Sequence, residues 1–282
     1  MFLFKHKEIL LTSVAIFVAS IASFPLAAQK RTTQKPIRID ATQLEGVQNF
    51  RDIGGYETSD GRTIRYNVVY RSAMLHEMTL SDNRKLAPLK IRYEIDLRRE
   101  AERSLAPTNW GPNPPEVIDI PFSSGGETAL PTNPSPAQMH ELMQHIYTSY
   151  AVINAPAIGE VLHDLAQGDE PALVHCTGGV DRTGMTVAVL MTLLGASRQD
   201  VYREYLLSTK LTKEQIQHLA ASGGVHVSPA FIKAFKMNPS SSLDAFFRSI
   251  DTHYGSFNAY VRNGLKLSSQ DIQNLRRRLL VG

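Results

Sequence analysis

Short apolar blocks with two different periodicities follow one another along most of this 282-residue chain. Alternation of apolar and polar positions, or a brief apolar run, predicts β-strands at residues 67–71, 91–97, 117–120 and 171–175. Apolar positions at helical spacing predict α-helices at residues 81–89, 139–150, 157–165 and 183–194. Strands that alternate with helices in this way are typical of an α/β fold, with a central sheet flanked by helices.

The ends of these elements carry their own signals. Ser81 begins a helical segment and is the predicted N-cap, and Gly195 follows a strongly apolar helix that it would end. Residues 123–137 are rich in Gly, Pro, Ser and Thr, which predicts a surface loop. Residues 198–280 are mostly helical by pattern, so we expect extra C-terminal helices that cover one side of the sheet or form a lid.

The N-terminus differs from the rest of the chain. Two lysines give a short positive start, an apolar run over residues 9–24 follows, and small residues then lead to a cleavage position. Residues 1–28 are therefore expected to be a signal peptide that exports the protein to the periplasm or out of the cell. An uncleaved membrane anchor is the alternative, although the run is short for a spanning helix. We expect a linker over residues 29–43 and one domain over residues 44–282.

Composition narrows the partners that the domain can have. The chain is 43% hydrophobic and 20% charged with a net charge of +3, so it is an ordinary globular protein without a basic stripe for nucleic acid. Cys176 is the single cysteine, so no disulfide can form within the chain, and no Cys/His cluster has metal-ligand spacing. We expect no metal, no cofactor, no nucleic-acid partner and no stable membrane span in the mature chain.

The residues with the clearest chemistry follow the predicted strand at 171–175. Cys176 comes directly after this strand, and Arg182 comes six positions later, where a helix begins. Gly178 and Gly179 allow the segment between Cys176 and Arg182 to bend with its amides turned inward. Inward amides, a helix N-terminus and a guanidinium together favour a phosphate-sized anion, and the same positive field favours a thiolate.

Hydrolysis of a phosphate monoester without a metal follows from this arrangement. The Cys176 thiolate would attack phosphorus and form a phosphocysteine, which water then hydrolyses, while a general acid protonates the leaving oxygen. Thr183 would assist departure of the sulfur in the second step, and His175 would support the loop. The predicted phosphate-binding residues are Thr177, Gly178, Gly179, Val180, Asp181 and Arg182.

Several ordered motifs resemble one known family. His-Cys-x5-Arg-Thr-Gly at residues 175–184 is similar to the signature loop of the protein tyrosine phosphatase superfamily. Asn-Phe-Arg-Asp-Ile-Gly-Gly at residues 49–55 resembles the opening block of the bacterial atypical tyrosine/serine phosphatases, a group with dual-specificity and lipid-type members. Further blocks of that group are similar to residues 70–72, 96–98 and 204–208.

The resemblance implies a tyrosine phosphatase-like catalytic domain over residues 44–282, and a loop aspartate as the general acid, which corresponds to Asp181. From the residues alone, Asp119 and Asp96 remain alternative acids. The resemblance also implies that substrates can include phosphotyrosine, phosphoserine, phosphothreonine and phosphoinositides. Val180 replaces the lysine that the group usually has in its loop, which weakens the phosphoinositide alternative.

Two more charged features lie in the matching blocks. Arg51 and Asp52, which stand close to glycines, are expected to form a buried pair that braces the loop. Arg98 would either reach the substrate or pair with a glutamate of the segment that follows it. The interpretation that these features favour is an exported phosphatase for phosphotyrosine proteins or peptides. A phosphatase for phosphoinositides or inositol phosphates, and a non-catalytic phosphate-binding module, are the alternatives.

Overall fold

The computed structural model describes residues 43–123, 135–210 and 239–282. The chain divides into two units, residues 1–35 and 36–282, and every described residue belongs to the second. The predicted signal peptide, all but the last residue of the predicted linker, and most of the predicted loop lie outside the described residues. The predictions for those segments therefore stay predictions.

Seven strands lie in the described part of the chain and form two sheets. They are β1 (Arg51–Asp52), β2 (Thr63–Ile64), β3 (Val69–Ser72), β4 (Tyr93–Asp96), β5 (Glu116–Asp119), β6 (Ala172–His175) and β7 (Leu280–Val281). The central sheet has the order β1-β3-β6-β4-β5, in which β1 is antiparallel to β3 and the other neighbours are parallel. The four strands that the sequence predicts are β3, β4, β5 and β6, and they form the parallel part of this sheet.

Helices fill most of the connections and flank the sheet. They are α1 (Leu80–Leu86), α2 (Glu100–Leu105), α3 (Pro136–Ile153), α4 (Ala155–Gln167), α5 (Arg182–Leu194), α6 (Arg198–Leu206), α7 (Pro239–Tyr254), α8 (Phe257–Ala259) and α9 (Ser269–Leu279). Short 3₁₀ turns follow α1 and α6 at Ala87–Leu89 and Leu207–Lys210, and a π-helical turn follows α8 at Tyr260–Gly264. The predicted α/β fold is confirmed. The short helix α2 has no signal in the apolar pattern.

The N-cap of α1 is Thr79, so the prediction of Ser81 is wrong. The Asp82 amide donates to Thr79 Oγ1 at 3.1 Å, and the Thr79 amide donates to Asp82 Oδ2 at 3.1 Å. This reciprocal capping box needs a side chain three residues before Asp82, which Ser81 does not provide. Gly195 ends α5 with φ of 97°, as predicted, because glycine adopts this left-handed conformation without steric cost.

Apolar side chains pack on both faces of the central sheet. Tyr70 and Leu173 point to one face, where they join a small core with Leu86 of α1. Val69 and Val174, which alternate with them along β3 and β6, belong to a much larger core on the other face. Helices α4, α5, α7 and α9 all contribute buried residues to that larger core.

The C-terminal helices therefore cover one side of the sheet, as one of the two sequence alternatives states. Helix α7 packs along α3, and α9 packs against α4 and α5. Strand β7 then pairs with β2, and the Arg65 amide donates to the Leu279 carbonyl at 2.7 Å. Residues 211–238 of this C-terminal segment lie outside the described residues, so the alternative of a lid stays a prediction. None of the helices that the structure describes is both long and apolar enough to cross a membrane.

Candidate active site

The loop that carries Cys176 joins the middle strand of the sheet to helix α5. Strand β6 lies between β3 and β4, and all three are parallel, so their carboxyl ends meet at one edge of the sheet. Cys176 is the first residue after β6 and is 2% exposed. Functional loops in open α/β sheets gather at this carboxyl edge. The loop between β6 and α5 is therefore the candidate site.

Gly179 is the residue on which the shape of this loop depends. Its φ is 65°, and a Cβ at this position would lie 2.3 Å from the carbonyl oxygen of Ser72. Any other side chain would thus collide with β3 as well as adopt a strained backbone. Gly178 has no such close contact, so only one of the two predicted glycines is required by the geometry.

A buried ionic network braces the loop from behind. Arg71 Nη2 donates to the Gly179 carbonyl, and Asn49 Nδ2 donates to the same oxygen at 3.0 Å. Glu204 of α6 accepts from Arg71 Nη1 at 2.6 Å and from Arg51 Nε at 2.7 Å. Burial raises the pKa of Glu204, but the two arginines outweigh it and hold that pKa below its ordinary value. The carboxylate is therefore ionised and holds both guanidinium groups.

The predicted pair of Arg51 with Asp52 is wrong, although Arg51 does support the loop. Asp52 instead accepts from the backbone amides of Gly54 at 2.7 Å and Asn67 at 2.6 Å. The two side chains diverge because successive residues of a strand point to opposite faces of the sheet. The partner of Arg51 is Glu204 of α6, which lies 153 positions further along the chain.

Arg182 is held by a glutamate that the sequence pattern does not single out. Its Nη1 and Nη2 donate to the two carboxylate oxygens of Glu102 at 2.8 and 2.7 Å. Thr177 Oγ1 donates to Glu102 Oε1 at 2.5 Å, so the carboxylate also reaches the start of the loop. Burial raises the pKa of Glu102, but the bonds and charge of Arg182 outweigh it and leave that pKa well below its ordinary value.

Arg98 pairs with Asp96 and not with a following glutamate, so that expectation is wrong, and its contact with substrate stays a prediction. It is 1% exposed, and its Nη2 donates to Asp96 Oδ2 at 2.7 Å. Its Nη1 donates to the carbonyl of Ala106 at 2.7 Å, which anchors the chain after α2. Burial raises the pKa of Asp96, but the charge of His175 and the contacts of Arg98 outweigh it and lower that pKa.

His175 belongs to a second buried network beside the loop. Its Nε2 lies 2.8 Å from Glu94 Oε1, and its Nδ1 lies 3.3 Å from the Cys176 carbonyl oxygen. Glu94 also accepts from Thr108 at 2.7 Å and from the Trp110 indole at 2.6 Å. The His175 ring is thereby fixed directly behind the residue that carries the thiol.

One group of side chains in the described part of the chain has atoms close enough to share a metal ion. It consists of Glu94, Asp96 and His175. Their candidate ligand atoms lie within 4.8 Å of one another. Each of them already has a protein partner: His175 for Glu94, and Arg98 for Asp96. The group is a hydrogen-bonded support for the loop, and its acceptor atoms are used by neighbouring donors.

Asp181 lies at the N-terminal end of α5 and contacts one tyrosine, which in turn contacts a second. Tyr147 Oη donates to Asp181 Oδ1 at 2.5 Å and lies 2.6 Å from Tyr205 Oη. Burial raises the pKa of Asp181 above its ordinary value, against the opposing effects of Tyr147 and Arg182. A carboxyl that retains its proton at higher pH suits the role of an acid.

The other predicted residues occupy different surroundings. Asp119 ends the edge strand β5, where its half-exposed side chain pairs with Arg103 at 3.4 Å. Val180 is buried within the loop, and Thr183 is fully buried. The hydroxyl of Thr183 is among the buried polar atoms that have no hydrogen-bond partner. The roles assigned to these residues stay predictions.

A mostly parallel sheet, a cysteine at its carboxyl edge and an arginine at the start of the next helix define a phosphatase of the tyrosine phosphatase class. The chain matches the tyrosine phosphatase family over residues 42–281 and belongs to that family. It is also 31% identical, over 245 residues, to a Cupriavidus necator protein that is provisionally named a tyrosine-protein phosphatase. That match covers 85% of this chain and 88% of the relative.

Two further proteins are similar to this chain. The triple specificity protein phosphatase PtpB of Mycobacterium tuberculosis is 26% identical over 280 residues, with 85% of this chain and 99% of the relative covered. The crystal structure of P. aeruginosa TpbA covers 64% of this chain and 90% of its own, at 15% identity and a TM-score of 0.30. Family membership makes this chain a phosphoric monoester hydrolase.

Proposed function

We propose that this protein hydrolyses phosphotyrosine through a phosphocysteine intermediate, with Cys176 as the nucleophile. The observation that carries the proposal is the braced loop. Gly179 is tied to Arg71 and Asn49 on one side, and Arg182 is tied to Glu102 on the other. A loop fixed at both ends holds its amides in place before the phosphate arrives, which is the condition for electrostatic stabilisation of the transition state.

Binding of the phosphate follows from the same residues. Glu102 takes one N–H from each Nη atom of Arg182, and the other Nη donors reach the Leu97 carbonyl at 3.3 Å and Thr177 Oγ1 at 3.1 Å, contacts that phosphate oxygens would replace. The Glu102 contact fixes the plane of that guanidinium, so little side-chain entropy is lost when the phosphate binds. The thiolate then attacks phosphorus, and the S–P bond forms as the P–O bond of the ester breaks.

Asp181 is the proposed acid that protonates the leaving oxygen. Its raised pKa and its place one residue before Arg182 support this role. The rivals have other surroundings, since Asp96 is paired with buried Arg98 and Asp119 pairs with Arg103 on an edge strand. After the phenol leaves, Asp181 would accept a proton from the water that attacks the phosphocysteine.

Phosphotyrosine in a protein or peptide is the proposed substrate, with phosphoserine and phosphothreonine as further substrates. The name of the M. tuberculosis relative, a triple specificity phosphatase, supports a test of more than one phosphorylated residue. Val180 is buried and apolar, so this position of the loop offers no cation to a phosphoinositide headgroup. That observation favours phosphorylated protein over lipid.

Export through the N-terminal segment is part of the proposal. The positive start, the apolar run and the small residues before position 29 support a cleaved signal peptide. N-terminal sequencing of the protein from a fractionated cell tests this, and we expect a mature chain in the periplasm or medium that begins near Gln29. An intact N-terminus in the membrane fraction would instead establish the anchor.

The activity is tested with the purified protein in the presence of a metal chelator. Phosphotyrosine, phosphoserine and phosphothreonine peptides and a phosphoinositide panel would be compared as substrates. We expect the highest kcat/KM on phosphotyrosine, loss of turnover in Cys176→Ser, and a strong loss in Arg182→Lys, because lysine cannot form the fork that Glu102 and phosphate share. Arg262→Lys, at an exposed position of the π-helical turn, is the matched control. Full activity in Cys176→Ser would exclude the mechanism.

A further inference from the structure

The carboxyl group of Asp181 is held by a tyrosine that no sequence motif indicates. Tyr147 lies on α3, is fully buried, and donates through its hydroxyl to Asp181 Oδ1 at 2.5 Å. Tyr205 lies on α6, and its hydroxyl is 2.6 Å from that of Tyr147. Helices α3, α5 and α6 are thus joined by one chain of hydrogen bonds that ends at this carboxyl group.

The direction of each hydrogen bond follows from the number of protons. A phenol has a single proton, and that of Tyr147 is donated to Asp181, so Tyr205 must donate to Tyr147. Oδ1 of Asp181 is therefore occupied as an acceptor. When the carboxyl is protonated, its proton lies on Oδ2, the oxygen that Tyr147 does not contact.

Packing holds this chain of hydroxyls against the loop. A Cβ on Gly184, two residues after Arg182, would lie 2.9 Å from two ring atoms of Tyr205. The rings of Tyr147 and Tyr205 meet edge to face, with centroids 6.4 Å apart at 87°. The absence of a side chain at Gly184 thus makes room for the ring of Tyr205, which supports Tyr147 from behind.

We propose that Tyr147, supported by Tyr205, is a positioning residue that directs the proton of Asp181 toward the leaving group. This inference rests on the proposed function, in which Asp181 is the acid. In the first step, Oδ2–H gives its proton to the leaving oxygen as the P–O bond breaks and the bond from Cys176 sulfur to phosphorus forms. Tyr147 keeps its own proton and continues to donate to Oδ1 of the resulting carboxylate.

The groups that face Asp181 determine the sign of the expected pH effect. They are Tyr147 and Tyr150 from α3, Tyr205 from α6, Arg182 from its own helix and Arg71 from β3. The Tyr147 hydroxyl stabilises the ionised carboxylate, so its removal raises the pKa of Asp181. The acid then keeps its proton to higher pH, and the alkaline limb of the kcat profile moves upward.

The test compares Tyr147→Phe with wild type over pH, on phenyl phosphate and 4-nitrophenyl phosphate. We expect the alkaline limb to move up by about one to two pH units, the equivalent of one hydrogen bond to a charged group. We also expect roughly tenfold lower kcat on phenyl phosphate, whose leaving group needs the proton, and little change on 4-nitrophenyl phosphate. Tyr205→Phe should shift the limb in the same direction by a smaller amount.

Tyr260→Phe is the matched control, because Tyr260 is also fully buried but its hydroxyl has no hydrogen-bond partner. Its pH profile and leaving-group dependence should equal those of wild type. Asp181→Asn is measured in parallel to separate the two proposals. If Asp181→Asn loses the alkaline limb while Tyr147→Phe and Tyr205→Phe keep the wild-type profile, the positioning role is overturned and the acid stands. If Asp181→Asn also keeps the wild-type profile, both are overturned.

Discussion

Replacement of Glu102 by glutamine isolates the contact that fixes the phosphate-binding arginine. Glutamine has nearly the same shape as glutamate, but its amide nitrogen would face an N–H of Arg182 in place of a carboxylate oxygen. In the wild type both oxygens accept from Arg182, at 2.8 and 2.7 Å, and the Glu102 side chain is 9% exposed. The substitution therefore removes one charge-assisted bond in a largely buried setting and leaves a donor opposite a donor.

The size of the effect follows from that lost bond. A hydrogen bond to a charged group contributes about 1.5–3 kcal/mol, and about 1.4 kcal/mol corresponds to tenfold in an equilibrium or a rate. We thus expect kcat/KM of Glu102→Gln to fall by roughly 10- to 100-fold. KM should increase and kcat should decrease, because the guanidinium binds both the ground state and the transition state. The assay is steady-state hydrolysis of a phosphotyrosine peptide.

The pH dependence of the free energy of unfolding is a second test of the contact between Glu102 and Arg182. The pKa of Glu102 is depressed in the folded state, so its contribution is complete above the pKa of an unfolded glutamate, about 4.3, and is lost as pH falls below it. Glu102→Gln should therefore lose less stability than wild type between about pH 5 and 3. Glu100→Gln, an exposed change in the same helix, is the control. Wild-type kcat/KM in Glu102→Gln would refute the account of this contact.

Three further predictions concern stability, each measured by thermal or urea unfolding. Gly179→Ala should destabilise the protein by about 2 kcal/mol or more, because the φ of 65° is unfavourable for alanine and the new Cβ would lie 2.3 Å from the Ser72 carbonyl oxygen. An unchanged unfolding midpoint would contradict this. Glu204→Gln should cost about 3–5 kcal/mol, because loss of the carboxylate leaves buried Arg71 and partly buried Arg51 uncompensated. A loss below about 1 kcal/mol would be inconsistent with the network. Thr79→Ala should cost about 1 kcal/mol and Ser81→Ala less than about 0.5, and the reverse order would restore Ser81 as the cap.

The parts of the fold that sequence reasoning predicted are those whose signals are local. Strand β6, the glycine-containing loop and the end of α5 at Gly195 each depend on neighbouring residues, and periodicity and backbone preference identify them. The α/β class followed from the alternation of such segments. The two-residue strand β1 and the six-residue helix α2 were missed because segments this short do not display a period.

The parts of the site that were missed depend on contacts across long stretches of sequence. Glu102 lies 80 positions from Arg182, and Tyr147 lies 34 positions from Asp181. Nothing in the apolar pattern distinguishes Glu102 from its exposed neighbour Glu100, or Tyr147 from any other core tyrosine. The pairing of Arg98 is different, because its partner is local: the side chain turns back to Asp96, two positions earlier, and not forward to a glutamate.

The covalent intermediate on Cys176 is the central claim, and rapid quenching tests it most directly. The protein would be mixed with excess 4-nitrophenyl phosphate, denatured within the first turnover, digested and analysed by peptide mass spectrometry. Because Cys176 is the single cysteine of the chain, a phosphorylated cysteine peptide has one possible site. We predict a phosphoryl group on the peptide that contains Cys176, in an amount that matches the burst of nitrophenol, and none in Cys176→Ser. A burst of product with an unmodified Cys176 peptide, or phosphate on another residue, would contradict the account.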